Sequence, residues 1–173
     1  MPTLLRWRAD DAVAADDPFT AVADDQTVPR GDVIISLGRF QSEGERLLGE
    51  CRHIGVRVAP HEAVESLAHD LPRLAVVALE FPKFRDGRGF SAALILRERL
   101  GYRGEVRAVG EVLLEQTKFM VRCGFDAFEP ADGSSAAQWT AAAHRFRHVY
   151  QRAADGRAPA FAERAGRAGV DGL

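Results

Sequence analysis

Cysteine is scarce: the chain has two in 173 residues, Cys51 and Cys123, far apart and outside any CxxC spacing. That fits a reducing compartment, where disulfide scaffolds are rare, and leaves a redox role open. Long apolar runs are absent as well. No stretch approaches the roughly 20 apolar residues of a membrane-spanning helix. The first residues, MPTLLRWRADDAV, lack the apolar core and small-residue cleavage site of a secretory signal, so a cytoplasmic location is the expectation. Neither sign of charge is in excess. The formal net charge is -2 and the pI is near 6.2, which argues against general affinity for nucleic acid or an anionic membrane.

The usual fingerprints of chemistry are also missing. No GxGxxG opens a helix after a strand, and there is no GxxxxGK[ST] or GxSxG. No cofactor is therefore expected. Metal ligands do not gather either. His144 and His148 stand one helical turn apart without a third ligand in register, and His53, His61 and His69 fall on different segments. The acidic pairs Asp10–Asp11, Asp16–Asp17 and Asp24–Asp25 read as solvated loop. Cys123 closes a helix at its C-terminal end, where the dipole disfavours a thiolate, and reads as a packing residue.

What is present is an ordinary globular composition, 46% hydrophobic and 28% charged, with a regular alternation of strand and helix signals. Residues 1–31 read as an irregular N-terminal arm, 32–154 as one α/β domain and 155–173 as a loosely ordered tail. Strands are expected at Asp32–Leu37, Val56–Ala59, Leu74–Leu79, Glu105–Val109 and Phe125–Phe128. Ser42-x-x-Glu45 and Ser135-x-x-Gln138 are capping boxes, and Ser91 is the expected N-cap of a helix running to Leu100. Gly55, Gly101 and Gly124 are expected helix stops. Val112, Phe119, Met120 and Cys123 form one apolar stripe, and Trp139 to Tyr150 another. Five strand–helix units imply a parallel sheet. The expected fold is a three-layer flavodoxin-like sandwich with a five-stranded parallel sheet of order 2-1-3-4-5, with an incomplete (β/α) barrel as the alternative.

Strand ends test the common uses of such a fold. A phosphate-accepting receiver domain needs clustered acids after its first strand and a lysine after its fifth. Here those positions read Gly-Arg-Phe and Glu129-Pro130. A flavodoxin-type loop rich in Ser, Thr and Gly is poorly matched by GRFQSEGE. The order 2-1-3-4-5 would instead bring together Arg39 after the first strand, Lys83, Arg85, Asp86 and Arg88 after the third, and Glu111 after the fourth. With Ser91 opening the adjacent helix, this cationic cluster suits an oxyanion such as phosphate, sulfate or sulfite. A solvated loop of local ion pairs is the plain alternative. Arg107 lies inside a central strand, where an unpaired charge costs several kcal/mol. It must meet a carboxylate, with Glu80 and Glu111 as candidates, or reach into a site. Arg97, Glu98 and Arg99 read as a solvated helix face.

FRDGRGFSAALILRERLGYRGEVRAVGEVLLEQ, followed by MVRCGFDAFE, resembles the signature of a proteobacterial family encoded beside sulfite reductase in sulfate-assimilation operons. That family is a domain of unknown function, often labelled as an oxidoreductase involved in sulfite reduction. This chain carries Glu111 and Glu115 where the family commonly has aspartate. The resemblance implies an accessory protein of assimilatory sulfate or sulfite reduction that binds a sulfur oxyanion or sulfonucleotide. The competing expectation is a non-catalytic partner docking on sulfite reductase or phosphoadenylylsulfate reductase, and an oxidoreductase whose cofactor site lacks a standard fingerprint ranks third.

Overall fold

Charged residues at alternate positions of the central strands decide how this chain winds. In Ile54–Val58, Val76–Phe81 and Glu105–Gly110, the polar side chains Arg57, Glu80, Glu105 and Arg107 all fall on one parity. Successive residues of a strand face opposite sides. One face of the sheet is therefore continuously apolar while the other carries charge, and the two faces cannot both be covered by helices.

The computed structural model describes residues 4–50 and 52–168. It forms one mixed sheet from β1 (Leu4–Arg8), β2 (Asp11–Ala15), β3 (Thr20–Ala21), β4 (Val33–Ser36), β5 (Ile54–Val58), β6 (Val76–Phe81), β7 (Glu105–Gly110) and β8 (Ala127–Phe128). The strand order is β2-β1-β8-β7-β6-β5-β4-β3. Neighbours from β3 to β8 are parallel, and β1 is antiparallel to both β8 and β2. The sheet is a half-barrel of eight strands, which corrects the expected five-stranded parallel flavodoxin-like sandwich. From β4 to β8 each strand lies beside its predecessor in the chain, so among the described residues the order does not reverse there and no switch-point crevice forms between those strands. Strand–helix alternation is common to both windings; only the faces distinguish them.

On the apolar face, Ile35, Val56, Val77, Leu79, Phe81 and Val106 pack with the helix residues Leu47, Leu96 and Met120 in the main core. Burying each such side chain contributes about 1.5–3 kcal/mol. On the other face Ile34, Val76 and Ala78 form a smaller cluster covered by Phe19 from the arm. Gly55, expected as a helix stop, belongs to this second face within β5. A Cβ there would lie 2.7 Å from Ile34 Cγ1 and 3.1 Å from Val76 Cβ, so only hydrogen fits between its neighbours. The arm itself supplies β1, β2 and β3. Its first turn is a two-residue hairpin with Ala9 at φ 49° and Asp10 at φ 68°.

Helix α1 (Leu37–Leu48) starts directly off β4, because Ser36 Oγ accepts from the Arg39 N–H at 3.1 Å. The box at Ser42 lies inside it, and Cys51 falls outside the described residues. A 3₁₀ turn at Val64–Leu67 follows β5. Helix α2 (Arg88–Leu94) continues as a π-helical turn at Ile95–Arg99, and Ser91 sits within it rather than capping it. From that turn Arg97 donates to the carbonyls of Tyr102, Gly104 and Gly124 and to Asp126, each at 2.8 Å. It is a tie between α2 and the β7–β8 edge, not part of a solvated face. Helix α3 (Thr117–Cys123) ends at Gly124 with φ 96°, the left-handed stop expected there. Helix α4 (Ala136–His144) opens with the expected Ser135–Gln138 box. It ends before Phe146 and Tyr150, which are exposed rather than core. Helix α5 (Ala160–Ala168) occupies the tail. No helix among the described residues is long and apolar enough to cross a membrane.

Candidate functional site

The loop after β6 is built by two residues of the next strand–helix connection. Gly110, at φ 94°, lets β7 close on β6, where a Cβ would meet the Phe81 carbonyl oxygen at 2.4 Å. That approach places the Glu111 N–H 2.7 Å from the same carbonyl. The Glu111 carboxylate then accepts from the Phe84 N–H at 3.0 Å, and Gln116 Nε2 donates to the Phe84 carbonyl at 3.2 Å. A turn bond from the Asp86 N–H to the Lys83 carbonyl, 2.9 Å, completes the loop. Phe84 is thus fixed through both backbone groups while its ring is 45% exposed. Lys83 and Arg85 flank it, both exposed. Among the described residues neither makes a side-chain hydrogen bond or ion pair.

Arg88 and Asp86 are turned on each other. The guanidinium donates to the carboxylate at 2.9 and 2.6 Å, and the Arg88 N–H adds a third bond. These bonds hold the Asp86 carboxyl down at about 2, well below the ordinary carboxylate value. Arg88 and the exposed Ser91 also line a cleft of about 140 Å³ beyond the ends of β5 and β6, alongside Glu62, Glu65 and Glu80. Glu80 and Glu65 there pair with Arg57 at 4.0 Å and Arg99 at 3.6 Å, and Arg88 is taken by Asp86, so among the described residues the lining offers no unpaired cation to an anion.

Two expected members of the cluster lie elsewhere. Arg39 belongs to the first turn of α1. Its guanidinium donates to Glu43 and to the carbonyls of Ala23 and Gln26, pinning the arm. In the observed order β5 separates β4 from β6, so the adjacency that would have joined Arg39 to the β6 loop does not arise. Arg107 is fully buried on the charged face. It donates to Asp17 at 2.7 and 3.1 Å, to Glu105 at 2.8 Å and to Glu129 at 3.1 Å. Its partners are therefore not Glu80 or Glu111. The ring of Phe19 lies 5.8 Å from the guanidinium carbon. Burial disfavours the charge, but Asp17 and Glu105 more than offset it and hold the pKa above the ordinary arginine value. The arginine fastens the arm over the sheet. Asp17 had no local signal of this role, since it sits in a run of acidic pairs and finds its partner 90 positions away.

The structure thus gathers Lys83, Arg85, Asp86, Arg88 and Glu111 around one loop, with Ser91 on the adjoining helix. The sequence reading missed Phe84 and Gln116. Phe119 lies on α3. It is 54% exposed, although expected in the core, and packs edge-on against Phe90 at 4.7 Å between ring centroids. Among the described residues no group of three or more His, Cys, Asp or Glu is placed to hold a metal ion.

The chain belongs to a bacterial protein family of unknown function, DUF934, whose pattern matches residues 55–161. That span includes the β6 loop, Gly110–Glu111 and Gln116. No curated protein matches the chain.

Proposed function

We propose that this family member is a non-catalytic accessory protein of assimilatory sulfite reduction. It docks on an acidic, partly apolar surface of sulfite reductase through the Lys83–Phe84–Arg85 loop. The observation that carries this reading is the pinned Phe84. An exposed aromatic ring loses little further freedom on binding when its backbone is already held, and aromatic anchors with flanking cations are enriched at protein interfaces. The oxyanion reading of the same strand edge has less support, because the guanidiniums of Arg39, Arg88 and Arg107 are each engaged by protein acceptors. The choice of pathway rests on the resemblance of Phe84–Gln116 to the signature encoded beside sulfite reductase.

Sedimentation of the purified chain with sulfite reductase at low salt is the test. A complex should form, weaken as salt screens its charges, and disappear when Lys83→Glu and Arg85→Glu are combined. No complex at high concentration of both proteins would defeat the proposal. Association with phosphoadenylylsulfate reductase instead would retain docking but move the partner one step along the same reduction.

A further inference from the structure

A second group of cations lies away from the β6 loop, where β1, α3, α4 and the segment after α4 meet. A cavity of about 380 Å³ is lined there by Trp7, Lys118, Arg122, His144 and Arg157 and by two acidic residues, Asp10 and Asp155. That volume falls within the range of about 300–1,000 Å³ typical of small-molecule sites.

The polar lining is organised rather than solvated at random. Arg122 Nε donates to Asp155 at 3.0 Å, and the other carboxylate oxygen of Asp155 accepts from the Arg157 N–H at 3.2 Å. Arg157 Nη2 donates to the Arg147 carbonyl at 2.7 Å. Lys118 contacts the Phe146 carbonyl and lies over the Phe146 ring. His144 Nε2 donates to the Asp10 carbonyl at 2.7 Å, and its ring lies 6.1 Å from that of Trp7. The Asp155 carboxylate thus pairs with one guanidinium, that of Arg122, whose Nη2 also donates to the Gln151 carbonyl, while it meets Arg157 only through the backbone. Among the described residues, neither Lys118 nor the Arg157 guanidinium has a carboxylate within ion-pair distance. Burial and the neighbouring charges of Arg157 and Arg122 push the Lys118 ammonium below its ordinary value, only partly opposed by Asp155. Cations crowded enough to disfavour one another are stabilised by an anion placed between them.

We infer that this cavity is a binding site for a small phosphate or sulfate ester with a flat ring, of mononucleotide size. The anionic group lies among Lys118, Arg122 and Arg157, and the ring lies on the Trp7 side. Trp7 is partly buried, so the indole offers an anchored apolar surface. The bond from His144 to Asp10 fixes the imidazole beside it. This site shares no residue with the β6 loop, and neither assignment depends on the other.

Calorimetry on the full chain at low ionic strength, with adenosine 5′-monophosphate and inorganic phosphate as separate probes, tests the inference. The nucleotide should bind at least tenfold more tightly than phosphate. Arg157→Ala should weaken it at least tenfold, and Lys118→Met should act in the same direction. Arg157 is exposed, so its replacement should leave the circular dichroism spectrum unchanged and keep the result interpretable. Arg103→Ala, at an exposed arginine outside the cavity, should bind as the parent chain does. No heat with millimolar nucleotide, or undiminished binding by Arg157→Ala, overturns the site. Equal affinity for phosphate and nucleotide overturns the assignment of a ring-bearing ligand.

Discussion

Arg107 and Arg85 are the same residue type, 22 positions apart in the chain, and their surroundings give them opposite uses. Arg107 is enclosed by Asp17, Glu105 and Glu129 on the charged face of the half-barrel. Arg85 stands on a loop whose backbone is fixed, beside an exposed phenylalanine and without a carboxylate of its own among the described residues. A buried, fully bonded arginine has no capacity left for a ligand and serves the fold. An exposed cation on a rigid loop contributes almost nothing to the fold and remains available to a partner. Location at a strand edge does not separate these cases. The balance of charge and acceptors around each guanidinium does.

The comparison breaks most visibly at Arg107. Arg107→Met leaves three carboxylates facing one another without their shared cation, and urea titration should record a loss of about 3–5 kcal/mol. An undisturbed midpoint would mean that the arm is not fastened there. Next in size is Gly55→Ala, where the added methyl group meets Ile34 and Val76 on the same face. The expected loss by the same titration is about 1–3 kcal/mol.

An effect of similar size, confined to alkaline pH, comes from Cys123 on the apolar side of the sheet. Burial pushes its thiol from 9.0 up to about 11. Between those values the folded chain keeps a proton that the unfolded chain has lost. Stability is therefore unaffected by this group below pH 9 and falls as the pH rises towards 11, at up to about 1.4 kcal/mol per pH unit. Thermal melts of the parent chain and Cys123→Ser across that range should differ in slope, the serine variant losing less. The smallest expected effect on stability is at the loop. Lys83→Glu and Arg85→Glu should each shift the unfolding free energy by less than about 0.5 kcal/mol, while weakening the complex proposed with sulfite reductase.

The same contrast explains what could be read before the structure. Helix ends with local chemistry were legible: the Ser135–Gln138 box and Gly124 stand where their side chains, or lack of one, require. The β6 loop was legible as a charged, glycine-punctuated connection. Strand order was not, because a βα alternation winds equally well in sequence or about a switch point. The parity of Arg57, Glu80, Glu105 and Arg107 did carry information about the faces, since strands covered by helices on both faces do not place charge on every second residue. Read that way, it marks one face as charged and covered by something other than helices, while the separation of Arg39 from the β6 loop comes from the pairing of β4 with β5 and β5 with β6. The pairing of the arm was hard to read for a different reason. Its first strand pairs far along the chain, Leu5 with Phe128, and its acidic pairs conceal Asp17, one of the three carboxylates around Arg107.

Phe84→Ala tests the central distinction most directly, with unfolding and partner binding measured on the same preparation. The account predicts an unchanged urea midpoint and an affinity for sulfite reductase weaker by at least about thirtyfold, the scale of an interface hot spot. A variant that binds as well as the parent chain, or that loses binding only because it has lost its fold, would contradict it.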